Sequence, residues 1–84
     1  MRLSELVRGQ AATVVGFDGQ ADVETTSRFR ALGFVIGTRL TVERRLPYQG
    51  PMVVKLGGAA FAIEPDAARH INVELEAANG AVKP

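Results

Sequence analysis

A small, mostly-β barrel with one helix is the fold this chain predicts, on three observations. First, two apolar runs, Met52–Leu56 and Ala59–Ile63, flank Gly57-Gly58. That pair suits a two-residue hairpin, whose central positions take positive φ. In its register Leu56 opposes Ala59, Val54 opposes Phe61 and Met52 opposes Ile63, so six apolar side chains share one face. Val53, Lys55, Ala60 and Ala62 share the other. Second, residues 10–17, 38–46 and 71–76 are three further short β-rich segments. Third, only residues 22–32 carry a helical pattern bounded by both a cap and a glycine.

Taken in order, Leu3-Ser4-Glu5-Leu6 reads as a short turn that drops two leucines onto the core and stops at Gly9. Thr13, Val14, Val15 and Phe17 mark the first strand, and Asp18-Gly19 a turn after it. In the helix, Asp22 can accept from first-turn amides. Glu24 and Arg28 stand four apart with the acid first, and Thr25, Phe29 and Leu32 make a core-facing stripe. Gly33 fits the left-handed residue past the helix end, with Phe34 packing back on Phe29. Leu40 and Val42 point inward along the next strand, and Arg44 breaks the alternation as a bulge or an exposed end. Two prolines and a glycine make 47–51 a loop. Pro65 opens a single helical turn that reaches His70. Ile71, Val73 and Leu75 alternate inward on the last strand, and residues 77–84 are expected to be a frayed tail beyond a 1–76 domain.

Composition narrows the function classes. Eighty-four residues make one domain with one core. The absence of cysteine excludes disulfides and thiolate metal sites. Met1-Arg2-Leu3-Ser4-Glu5 lacks the basic start and apolar run of a leader. No stretch nears the roughly 20 apolar residues that span a bilayer, so a cytoplasmic protein is expected. A net charge of +1 gives little long-range field toward nucleic acid or anionic membranes.

The element order is β, α, β, β, β, turn, β. Five short strands in this order close most readily as an SH3-like barrel and less readily as an OB barrel. Leu3-Ser4-Glu5-Leu6 with Gly9-Gln10, and Arg28-Phe29-Arg30-Ala31-Leu32-Gly33-Phe34-Val35-Ile36-Gly37-Thr38, resemble the FeoA family of ferrous iron transport proteins. The later stretches, Pro47 to Gly57 and Ala62 to Val73, fit the same template. Ile36 stands where the family often has Pro. Glu64 stands where it often has Arg, which reverses a surface charge. The resemblance implies an SH3-like accessory protein, not an enzyme and without a cofactor. It also implies a partner: the ferrous iron transporter FeoB, through its cytosolic GTPase domain or its membrane part. The same barrel ends the DtxR-type repressors, but this chain lacks their DNA-reading domain, so that kinship is one of fold.

No residue set reads as catalytic. His70 is the sole histidine, and with Glu64 and Asp66 makes a poor metal site. Asp18, Asp22 and Glu24 are scattered about a loop and a helix start, where capping and solvation account for them. Gly16, Gly19 and Gly33 do not form a phosphate-binding loop. Arg28 and Arg30 occupy the last helical turn, either as a solvated helix end or as a contact surface. Arg44, Arg45, Pro47 and Tyr48 form a basic, aromatic loop, either a plain turn or an interface of the kind Arg and Tyr favour. The candidate partner-binding residues are therefore Arg28, Arg30, Leu32, Phe34, Arg45, Pro47 and Tyr48. A second reading, a nucleic-acid-binding barrel, would use Arg39, Arg44 and Arg45, although Glu43 interrupts that stripe. Self-association stays open.

Overall fold

The computed structural model describes residues 1–76; the expected tail, 77–84, lies outside them. Five antiparallel strands form one sheet: β1 (Ala11–Phe17), β2 (Arg39–Arg45), β3 (Met52–Leu56), β4 (Ala59–Ile63) and β5 (Ile71–Leu75). Their order is β4-β3-β2-β1-β5. β1 to β4 run as a meander interrupted by helix α1 (Val23–Leu32), and β5 returns to pair with β1. A meander is not the Greek key of an OB barrel, so the fold is SH3-like. The barrel stays open between β4 and β5, where the one-turn helix α2 (Pro65–Ala68) carries the chain across. The register of β1 slips between Val14 and Gly16, and that of β2 between Val42 and Arg44. Such bulges add twist and help a small sheet curl. The second makes Glu43 the extra residue, one position before the break at Arg44 that the alternation points to.

The β3–β4 hairpin has the register read from its glycines. Only Gly57 takes a positive φ, +65°, which makes the turn type II′, with glycine needed at its first central position. Met52, Val54, Leu56 and Ile63 are buried, Phe61 is half-buried, and Ala59, beside the turn, is exposed.

Helix α1 is held at both ends as its sequence requires. The Asp22 carboxylate accepts the Thr25 N–H at 2.7 Å. Gly33 takes φ +111°; its N–H donates to the Arg30 carbonyl and the Phe34 N–H to the Phe29 carbonyl. That is a Schellman motif. Its hydrophobic contact is aromatic: the Phe29 and Phe34 rings meet edge to face at 5.4 Å, and Phe34 meets Phe61 at 5.9 Å. Around this trio lie Leu3, Leu6, Val14, Leu40, Val54, Ile71 and Val73.

Two core assignments are corrected. Leu32 is 39% exposed, because it lines an open hollow between α1 and β4 instead of reaching the closed core. Leu75 is also 39% exposed, at the last residue of edge strand β5, where the sheet runs out. Among the described residues the Glu24–Arg28 pair does not form; ion pairs join Arg69 to Asp66 and Lys55 to Glu43 instead.

The cap has a pH consequence. The Thr25 N–H bonded to Asp22 holds its carboxyl below the ordinary range, as the Gln20 N–H does for Asp18. A depressed acid stabilises the fold above its unfolded pKa, about 4, and loses that contribution as pH falls through the folded value. Asp22→Ala should therefore melt lower than wild type at pH 7, and the gap in Tm should be narrower at about pH 2.5. Thermal melts at the two pH values check this.

Candidate interaction surface

The seven candidate contact residues divide by what holds them. Arg28 and Arg30 lie two positions apart on α1, about 200° around the helix. Arg28 lines a hollow against β4, and Arg30 lies over the Phe17 ring at 5.7 Å. The two cations therefore face different surroundings. Leu32 is exposed beside Arg28. Phe34 is fully buried among Phe29 and Phe61, so it cannot touch a partner and acts by fixing the helix end. Arg45 donates from one Nη1 to the carbonyls of Ser4 and Leu6, each at 2.7 Å, which ties the end of β2 to the N-terminal turn.

Pro47 and Tyr48 belong to a strained turn. The Gly50 N–H donates to the Pro47 carbonyl, and both central residues, Tyr48 and Gln49, take left-handed φ of +59° and +58°. This is the conformation that Asn-Gly adopts cheaply and that bulkier residues adopt at a cost. Tyr48 stands at its tip, 98% exposed.

A hollow of about 220 Å³ lies between α1 and β4, walled by Arg28, Phe29 and Leu32 on one side and by Phe61, Ile63 and Ala67 on the other. A second, polar hollow is formed by Gln49, Glu64, Pro65 and Asp66. Glu64 lines both. The α1 wall and the 47–51 loop are thus neighbours across one residue. In the sequence Glu64 stands out as a reversed charge and, with His70 and Asp66, as a poor metal ligand; its place between the two hollows follows from the fold, and its position directly after β4 and before Pro65 is the one trace of that place. Ile36, on the turn after α1, is 73% exposed. Three apolar residues, Phe34, Val35 and Ile36, stand between Gly33 and Gly37, and of these only Phe34 is buried.

The basic stripe of the nucleic-acid reading is largely occupied. The Arg39 guanidinium grips the Glu76 carboxylate through Nε and Nη2, and the partners shift each other's pKa, Arg39 up and Glu76 down. Arg45 is spent on backbone carbonyls. Arg44 keeps its place on the surface but loses both companions. His70 sits with Nδ1 at 3.8 Å from an Asp18 oxygen and, among the described residues, without a hydrogen-bond partner. Among the described residues, no three His, Asp or Glu side chains converge where a metal ion could sit. No helix among them is long and apolar enough to cross a membrane.

A profile of the FeoA domain matches residues 1–75. The chain belongs to the FeoA family. Its fold is shared with the solution structure of FeoA from Chlorobium tepidum, at 32% identity and a TM-score of 0.83, covering 92% of this chain and 71% of that one. It is shared also with the zinc-complexed FeoA of Stenotrophomonas maltophilia, at 32% identity and a TM-score of 0.77, covering 88% and 89%. That protein is described as a prokaryotic SH3 domain protein and a candidate activating factor of bacterial ferrous iron transport. A manganese-dependent transcriptional repressor, solved with manganese, matches at 26% identity and a TM-score of 0.81, over 89% of this chain but only 36% of the repressor. The shared part is the barrel. No curated protein matches this FeoA-family chain in sequence.

Proposed function

We propose that this FeoA-family chain is a cytoplasmic accessory protein of ferrous iron uptake. It binds the transporter FeoB from the cytosolic side and modulates transport without chemistry of its own. The observation that carries the reading is the continuity of the α1 wall and the 47–51 loop around Glu64, with Tyr48 fully exposed at the loop tip. An exposed tyrosine on one side of Glu64, with apolar and basic side chains on the other, supplies the residue types from which binding hot spots are drawn. The contact set is Arg28, Leu32, Pro47 and Tyr48, flanked by Ile36, within the domain of residues 1–76; Arg30, over Phe17, lies on another side of α1. Phe34 and Arg45 support it from beneath. The role ascribed to the Stenotrophomonas maltophilia protein supports the same reading.

Arg28→Glu tests this directly. A charge reversal at an interface rim should weaken binding to the FeoB cytosolic domain by about fivefold and make the remainder less salt-sensitive, with the fold intact. Isothermal titration at two salt concentrations measures both. Unchanged affinity in a folded variant would remove the end of α1 from the contact surface.

A further inference from the structure

The two edges of the sheet differ in how they are closed. At β5, the Val73 N–H donates to the Met1 carbonyl at 2.7 Å and Arg2 bridges to Asn72, so the N-terminus covers that edge. At β4, the two-residue hairpin makes Ala59, Phe61 and Ile63 exchange hydrogen bonds with β3. The N–H and C=O groups of Ala60 and Ala62 therefore point away from the sheet, and both residues are exposed. Edge strands are normally protected by charge, proline or a bulge. Ala59–Ile63 has none of the three, and its pairing with β3 is regular throughout. Four consecutive residues, Phe61 to Glu64, line the hollow against α1. Side chains on a strand alternate between faces, so consecutive lining residues mean that the strand's edge, not one face, opens into it.

We propose that β4 is a strand-addition site. An extended segment of a partner pairs with the Ala60 and Ala62 backbone, sets an apolar side chain between Leu32 and Phe61, and places a Lys or Arg near Glu64. Pairing with a sheet edge in a groove beside a helix is an established mode of peptide capture. Charge selects a basic segment: Glu64 closes the groove and makes no ion pair among those of the described residues, and Asp66 lies just beyond. Arg28, on the opposite wall, lies close enough to Asp22 to lower its pKa. This deepens the binding reading above and rests on it, but its test uses no transporter.

The test is a titration of the ¹⁵N-labelled full chain with two blocked peptides, Lys-Val-Thr-Val-Lys and Glu-Val-Thr-Val-Glu. The basic peptide should shift the Ala60 and Ala62 amides downfield and slow their hydrogen exchange. The acidic one should bind about two- to fivefold more weakly, as an exposed charge contact allows. Glu64→Lys should reverse that order. Ala62→Pro, which removes an outward N–H that an edge tolerates losing, should abolish the exchange protection. Absence of any change at Ala60 and Ala62, or equal response to both peptides, would overturn the proposal. Concentration-dependent protection of these amides without peptide would overturn it in favour of a second copy of this chain on the edge. A negative FeoB titration alongside a positive peptide result would fault the choice of partner and leave the site standing.

Discussion

Phe34→Ala should destabilise the domain by about 3–5 kcal/mol, the cost of emptying a fully buried aromatic site. Phe34 is the largest fully buried side chain and meets Phe29 and Phe61 edge to face, so its removal breaks the joint between α1 and the sheet. A small domain has only about 5–15 kcal/mol in total, so most of the folded population's margin would go. Urea unfolding measures the loss. Phe34→Leu separates volume from aromatic contact and should recover more than half of it. Any loss of partner binding in Phe34→Ala would follow the loss of fold, which distinguishes a residue that shapes the surface from one that belongs to it.

The second large effect runs in two directions at once. Tyr48→Asn combined with Gln49→Gly should raise stability by about 1–2 kcal/mol, because it puts the favoured type I′ residues where φ is already +59° and +58°. The same double variant should weaken FeoB binding by about 30-fold, the loss expected when a hot-spot aromatic of about 2 kcal/mol is deleted. Gains in stability at the expense of function are what a strained, exposed recognition turn should give. A variant that is both more stable and binds normally would mean the turn is merely tolerated.

Much of the fold was legible because local rules and tertiary demands coincide. Gly57-Gly58 set the β3–β4 register, Asp22 and Gly33 bounded α1, and Pro65 opened α2, each by a backbone preference that needs no distant partner. The misses lie where a residue's fate depends on the far side of the molecule. Leu32 faces an open hollow between α1 and β4, a gap that periodicity cannot see. Arg39 and Arg45 looked like a surface stripe, yet their partners, Glu76 and the carbonyls of Ser4 and Leu6, lie 37 and about 40 residues away in sequence. The open edge of β4 was equally hidden, since only the strand order reveals that Ala60 and Ala62 have no neighbouring strand on that side among the described residues.

In the proposed complex the α1 end and the 47–51 loop form one surface for the transporter. Its most direct test is a methyl and amide NMR titration of the labelled chain with full-length FeoB in lipid nanodiscs. Localised broadening at Arg28, Leu32, Ile36 and residues 47–51, with Val14, Val54 and Val73 unaffected, is the predicted result. A folded domain whose spectrum is unchanged, or perturbed only on β5 and the N-terminal turn, would contradict it.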